Sequence, residues 1–394
     1  MRICAVTTWP PYREGVAIYS AKLYSQIAKY AQVIIVANKV NFRGHFDSSK
    51  FFNIKLIRSW KRENPFCLLR ILNEMIKSKA DVFHIQFGWL LYGSPLITCF
   101  FPYLILLLFC ITQKPVVVTL HSVIRRDVTF SEKRLIDCMI RNVVFVITKL
   151  LTLFSSKVIV HNVLMKKTLE EDYGCDENKL VIIPHGVEKA EIEEGCIGDT
   201  SERKNLNIIS LGFIRQSKGL ETLIEAFLKL RVEYPDINLI LIGGRHPHDS
   251  EEYFTNFKKL IKNLENRSNI SLKNFVTEKE LNDIIRNATI IVLLSRETKF
   301  LEASGALARV SDFNKPVICN RVPKFLGEFK GRPDCCVMLR HGTTTELYDA
   351  LKYLLENPAF RRKISSNLKI AFRKRYWMDV AKTHMELYRT LLNK

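Results

Sequence analysis

The chain has 394 residues, 47% of them apolar and 25% charged, with a formal net charge of +20. That balance excludes a disordered chain, and the length exceeds what one core organises comfortably, so two domains are expected. The charge is uneven: residues 1–167 hold 24 Lys and Arg against 8 Asp and Glu, whereas residues 168–394 hold 36 against 32. A basic first half suits nucleic acid, an anionic membrane surface or a phosphorylated substrate.

The opening MRICAVTTWPPY has too short an apolar run for a signal peptide and reads as a first strand, Arg2–Thr7. Gly15 then begins a helix that runs over Val16–Tyr30. Further strands are predicted at Val33–Ala37, Asp81–Gln86, Pro115–Leu120, Lys157–His161 and Leu180–Ile183, with a basic amphipathic helix over Ser131–Phe154. The run 96-LITCFFPYLILLLFCIT-112 is nearly long enough for a membrane span, but Pro102 interrupts it and a strand follows Lys114-Pro115. It reads as a buried or membrane-surface helix. Ten cysteines show no C-x-x-C pair or metal spacing, and several, such as Cys99, Cys110 and Cys319, sit in apolar runs as small hydrophobes. That usage points to a reduced, cytoplasmic protein.

The polar, acidic stretch 187–205 breaks the pattern and reads as a linker, after which the alternation restarts. Strands are predicted at Leu206–Leu211, Asn238–Ile242, Asn269–Leu272, Thr289–Leu294 and Pro316–Cys319. Apolar strands alternating with helices mean a parallel sheet covered on both faces. The fold class is therefore α/β, with two Rossmann-like doubly wound domains at 1–186 and 206–375 and a final helix over about 376–394. Such sheets bind ligands at the carboxyl ends of their strands, so motifs are sought there.

One lies in 212-GFIRQSKGLETLIEAF-227. Arg215 and Lys218, flanked by Gly212 and Gly219, stand between a strand and a helix whose N-terminus already carries unsatisfied N–H groups and partial positive charge. Two cations added there make a diphosphate site. A carboxylate in a glycine-containing turn after the strand Thr289–Leu294, in 300-FLEASGALARVSDFNKPVI-318, suits a polyhydroxyl ligand attached to that phosphate. The bland alternatives are solvated turn cations and an ordinary helix start.

At these residues the chain resembles the retaining GT-B glycosyltransferases of glycosyltransferase family 4. Gly212, Lys218 and Gly219 followed by Glu225-Ala226-Phe227 match the family's G-x5-K-G turn and helix; Glu302 and Gly305, then Lys315-Pro316-Val317-Ile318, match its second signature. The ending, Trp377 followed by Val380-Ala381 and Leu387-Tyr388, is similar too. The resemblance implies that Arg215 and Lys218 grip the donor diphosphate, Arg215 replacing an arginine usually found where Phe213 stands. It implies that Gly15 lets backbone approach the diphosphate, that Glu302 contacts the donor sugar, with Glu297 as a rival, and that the backbone at Ser304, Gly305 and Ala306 faces sugar or phosphate. His121, after the strand 116–120, matches a family histidine near the transferred sugar; His84 and His185 are read as structural. A second family glutamate, the ribose ligand, is missing, with Arg309 or Val310 in its place.

No D-x-D follows a strand, so neither metal nor other cofactor is expected, and the leaving group is stabilised by Arg215, Lys218 and helix N-termini. The expected reaction is transfer of a hexose-type sugar from a nucleotide diphosphate sugar to a glycan or lipid-linked acceptor, with retention. The basic, apolar first half adds an expected peripheral contact with the inner face of the cell membrane. A nucleotide-sugar epimerase and a non-catalytic scaffold are the alternatives; nucleic acid is not expected, because the basic residues form no recognisable binding module.

Overall fold

The computed structural model describes residues 1–40, 53–190, 206–246, 249–296 and 299–393. In chain order the first elements are β1 (Arg2–Thr7), α1 (Gly15–Ile27), β2 (Gln32–Asn38), β3 (Ile54–Trp60), α2 (Cys67–Lys77), β4 (Val82–Phe87), α3 (Pro95–Thr98), α4 (Phe101–Thr112), β5 (Val116–Leu120), β6 (Ser122–Ile124), α5 (Arg134–Phe154), β7 (Lys157–Val160), α6 (Val163–Glu171) and β8 (Leu180–Ile182). There follow β9 (Asn207–Leu211), α7 (Leu220–Glu233), β10 (Asn238–Ile242), α8 (Glu251–Ser268), β11 (Ile270–Lys273), α9 (Glu278–Arg286), β12 (Ile290–Leu293), β13 (Phe300–Glu302), α10 (Gly305–Val310), β14 (Val317–Asn320), α11 (Pro323–Phe329), β15 (Val337–Leu339), α12 (Thr344–Glu356), α13 (Pro358–Phe372) and α14 (Trp377–Leu392).

The chain divides into two compact units. The first holds Met1–Gly186, Lys299–Ala303 and the chain from Trp377 onward; the second holds Val187–Thr298 and Ser304–Tyr376. Each is built on a parallel sheet, in the order β3-β2-β1-β4-β5-β7-β8 and β11-β10-β9-β12-β14-β15 respectively. Both faces of such sheets are covered, which explains why the central strands are apolar throughout: every residue of β4, β5 and β12 is buried.

Helix α1 packs its buried stripe, including Tyr19, Leu23, Tyr24 and Ile27, against Trp377, Val380, Ala381, Met385 and Tyr388 of α14. In the second unit, α7 buries Leu220, Leu223, Ile224, Phe227 and Leu230, at helical spacing, in a core shared with α12.

Several expectations needed adjusting. Helix α1 ends three residues earlier than Tyr30, and α5 starts at Arg134 rather than Ser131. Pro115 and Pro316 fall just outside their strands, as residues without an N–H to donate. The run 96–112 breaks at Cys99–Phe100 into α3 and α4. Of the thiols read as small hydrophobes, Cys319 in β14 is buried, whereas Cys99 is half-buried and Cys110 exposed. Strands β3, β6, β13 and β15 were not anticipated; three of the four are only three residues long. The stretch 191–205 lies outside the described residues.

Candidate active site

In the second unit the chain leaves β9 through Gly212, whose φ of +128° is a conformation for which glycine is the default. The Gly212 N–H donates to the Ile242 carbonyl at 3.0 Å, and a Cβ placed there meets nothing within 4 Å, so the backbone is open to an approaching ligand. Arg215 starts a 3₁₀ turn over Gln216–Lys218, and Gly219, left-handed at φ +58°, re-aims the chain into α7. This turn places Arg215 and Lys218 beside the start of a 14-residue helix.

The two cations differ in setting. Arg215 Nε lies 2.7 Å from Asp249 Oδ2, and Arg245 donates to the Asp249 carbonyl at 3.0 Å. Burial pushes the Asp249 carboxyl above its usual range, with the Arg215 charge pulling the other way. Lys218 lines a cavity of about 10 Å³ together with Gly212, Ser304 and Ala306, little more than a water-sized space. Ser304 is buried, and its hydroxyl accepts from the Leu307 N–H at 3.2 Å as the N-cap of α10, so Gly305 and Ala306 form that helix's first turn. Arg309, one of the two residues read in the place of the usual ribose ligand, points to α9 and donates to Glu278 at 2.8 Å and Asn282 at 2.6 Å; the other, Val310, is buried. Glu297 lies outside the described residues.

Phe213, His246 and Phe275, from the loops after β9, β10 and β11, form an edge-to-face aromatic group with centroids 4.7 and 6.2 Å from Phe213. Sequence reasoning treated Phe213 only as a missing arginine. The other two residues follow strand ends, as His121 does, and that position was the available signal.

In the first unit, Glu302 ends β13, which pairs antiparallel with β6 so that Glu302 lies opposite Ser122, the residue after His121. The backbone N–H of His121 donates to the Phe87 carbonyl at 2.9 Å. Its ring nitrogens are engaged as well, Nε2 with Gln86 Oε1 at 2.7 Å and Nδ1 with His161 Nε2 at 3.3 Å. Burial, helped by His161, His185 and His84, holds the His121 pKa well below the ordinary imidazole value, and burial with His185 lowers that of His161 to about 3. Both rings are neutral at pH 7. His84 is buried against Tyr24, Thr119 and Tyr388, while His185 bonds the Gly186 carbonyl and packs on Tyr19 and Trp377.

Gly15 is the first residue of α1, again with open space where a Cβ would sit. The residue before it, Glu14, was overlooked. Its carboxyl is buried, and burial raises its pKa to about 7 against the opposing charge of Arg62 and a hydrogen bond from Thr8. Gln86 and His161 were also missed: nothing in their sequence neighbourhood links them to a residue 35 or 40 positions away.

Two parallel α/β sheets in separate units, with a glycine-flanked cationic turn opening a helix, define the GT-B class of glycosyltransferases. Family comparison makes this specific: residues 13–191 match the model described as Glycosyltransferase Family 4, and residues 199–370 match Glycosyl transferases group 1. The chain belongs to this family of glycosyltransferases. Among solved structures it is similar to sucrose-phosphate synthase from Thermosynechococcus elongatus, with a TM-score of 0.75 and 16% identity over 100% of this chain and 99% of that one. It is similar to Anabaena Alr3699/HepE in complex with UDP-glucose, with a TM-score of 0.71 and 14% identity over 99% and 100%. A curated relative, D-inositol 3-phosphate glycosyltransferase of Pseudarthrobacter chlorophenolicus, is 26% identical over 235 residues, 57% of this chain. The chain spans about half of that relative's length, 54%.

Proposed function

We propose that this glycosyltransferase moves a hexose-type sugar from a nucleotide diphosphate sugar to an acceptor hydroxyl, with retention at the anomeric carbon and without a bound metal. The observation that carries the reading is the turn from Gly212 to Gly219, where an open backbone, Lys218 and the start of α7 converge. In the reaction the bond from the anomeric carbon to the diphosphate oxygen breaks and the acceptor oxygen forms the new one. The acceptor proton passes to the departing diphosphate. Lys218 and the α7 N-terminus favour the charge that develops on that leaving group. Arg215 joins them by exchanging Asp249 for phosphate, an exchange helped by the raised pKa of that carboxyl. The aromatic group at Phe213 offers the nucleobase an apolar face.

Glu302 and His121 serve the sugar in this reading. Since both ring nitrogens of His121 are engaged, it reaches a sugar hydroxyl only where that hydroxyl replaces Gln86. The absence of a metal in the proposal rests on the lack of a D-x-D after a strand, and turnover undiminished by excess EDTA is its test. NMR assignment of the product anomer decides retention.

The acceptor is read as a lipid-linked or membrane-proximal glycan on the cytoplasmic face. The support is the outward face of α4, where Tyr103, Leu106, Leu107, Phe109 and Ile111 are all exposed on a segment with no charged residue from 95 to 112. Helix α5 packs beside it and exposes Leu135, Met139, Val143 and Val146.

The donor reading is tested by thermal shift against UDP, GDP, ADP and their common sugars. Stabilisation by one nucleotide in the native chain, lost in Lys218→Ala with fold and unliganded Tm retained, is expected. A Lys218→Ala variant with unaltered binding and turnover would sink it.

A further inference from the structure

The geometry points to a second anion site in the second unit, built for a phosphate-bearing ligand, with cations of its own and sharing Gly219 with the Gly212–Gly219 turn. A pocket of about 310 Å³ opens at the carboxyl ends of β12, β14 and β15, on the side where α7 and α12 begin. Three adjacent parallel strands each deliver one guanidinium to it. Leu293 of β12 is level with Cys319 of β14, and Asn320 of β14 with Leu339 of β15; Arg296, Arg321 and Arg340 follow within three residues of those positions. His341 and the α7 start at Gly219 and Thr222 complete the wall.

The frame is fixed by its backbone bonds. The Asn320 amide clamps Ser295, accepting from its N–H at 2.9 Å and donating to its carbonyl at 2.7 Å. The Arg321 N–H donates to Leu339 at 2.9 Å, and the Arg296 N–H to Ser217 at 2.7 Å. The arginine side chains themselves are exposed, and among the described residues none makes a hydrogen bond or ion pair. The nearby carboxylate is committed elsewhere: Glu346 accepts the backbone N–H groups of Arg340, His341 and Gly342. Glu221 and Glu225 of α7 are bonded to Tyr253 and Thr344.

Unpaired guanidinium groups converging on one concavity repel each other unless an anion joins them. General basicity does not account for them, because residues 168–394 are close to charge balance, 36 against 32. Arginine forks match phosphate oxygens in pairs, and the α7 start adds N–H groups with no partner inside the helix. The volume admits a phosphorylated sugar or a diphosphate and is at the small end for a whole nucleotide. The shared chemistry is a phosphate monoester or diphosphate, and the inference stands whether or not Lys218 holds the donor.

Isothermal titration of the full chain with inorganic phosphate, pyrophosphate, glucose 6-phosphate and UDP separates the sources. Each is repeated in Arg321→Ala, Arg340→Ala and Lys218→Ala, with circular dichroism and Tm confirming the fold; Arg321→Lys is a milder control. Arg321→Ala and Arg340→Ala are expected to weaken pyrophosphate or glucose 6-phosphate binding about tenfold or more. The part of phosphate-ligand binding that depends on Arg321 and Arg340 is expected to persist in Lys218→Ala. Binding that is lost in Lys218→Ala but kept in the two arginine variants overturns the proposal, as does the absence of binding by every phosphate ligand apart from UDP. Preference for glucose 6-phosphate over pyrophosphate assigns a sugar phosphate; the reverse order assigns a diphosphate.

Discussion

Glu14 shows how one side chain couples folding to pH. Its carboxyl sits in the loop between β1 and α1, buried, with a pKa raised from 4.5 to about 7. The native state therefore holds a proton that the unfolded chain has lost between those values, and stability falls as pH rises through that window. The contribution is fully present below about pH 4.5 and gone above about pH 7. Glu14→Gln keeps the shape without the charge, so chemical denaturation should show a flatter stability curve between pH 5 and 7.5. The difference from the native chain should approach ~3 kcal/mol at the upper end, an upper bound that water penetration reduces. Parallel curves for the two proteins would rule out the buried, protonated carboxyl. At this scale, legibility depends on sequence distance. Lys218 and Gly219 were readable because strand, turn and helix start are consecutive, whereas the His121–His161 bond joins strand ends 40 residues apart. Nothing in the sequence around Glu14 marks its burial, because the Arg62 charge that it faces lies 48 positions away.

At the scale of elements, strands dominated by apolar residues, such as β1, β4, β5, β10 and β12, were legible by composition, whereas β3, whose four apolar residues are interrupted by Lys55, Arg58 and Ser59, was not. Nor was the pair β6 and β13. Each has three residues, they are separated by more than 170 positions, and their alternation is too short to distinguish from loop. Yet this pair sets the position of Glu302 next to the strand that follows His121. Leu301, 3% exposed and opposite Val123, anchors it. Leu301→Ala removes that anchor at a cost of about 2–5 kcal/mol if the cavity does not collapse, and less if this short ribbon opens locally. Hydrogen exchange should show faster amides in β6 and β13 with β9 and β10 unaffected. Turnover should fall while the thermal shift by the nucleotide sugar, which in the proposed reading reports on the second unit, stays. Global loss of protection would show instead that the ribbon is part of the first unit's folding core.

At the scale of the whole molecule, the uneven charge and the apolar face of α4 belong to the same unit, and both bear on the proposed contact with a bilayer. The run 95–112 is long and apolar enough to span a membrane by length and composition, and 39% of it is buried. Its inward face is committed: Phe101, Leu104, Ile105 and Leu108 pack into the first unit's core beside α2 and α5. A helix that inserts across a bilayer must give up those packing contacts and leave the apolar faces of α2 and α5 that it covered exposed to water. A helix lying in the headgroup region keeps them and buries only Leu106, Leu107, Phe109 and their neighbours. Lys114, Lys133 and Arg134 flank the apolar faces, each worth about 1 kcal/mol against anionic lipid at low salt. Screening shortens that attraction from about 10 Å at 0.1 M to about 3 Å at 1 M. The chain should pellet with vesicles containing phosphatidylglycerol, bind poorly to pure phosphatidylcholine, and release largely into 1 M salt. Leu107→Glu, on an already exposed position, should weaken binding at least tenfold with Tm and nucleotide-sugar stabilisation unchanged. Retention through high salt and carbonate washing would establish a span in place of a surface contact. Equal binding to neutral vesicles would remove the electrostatic part and leave the apolar face alone to hold the enzyme on the vesicle.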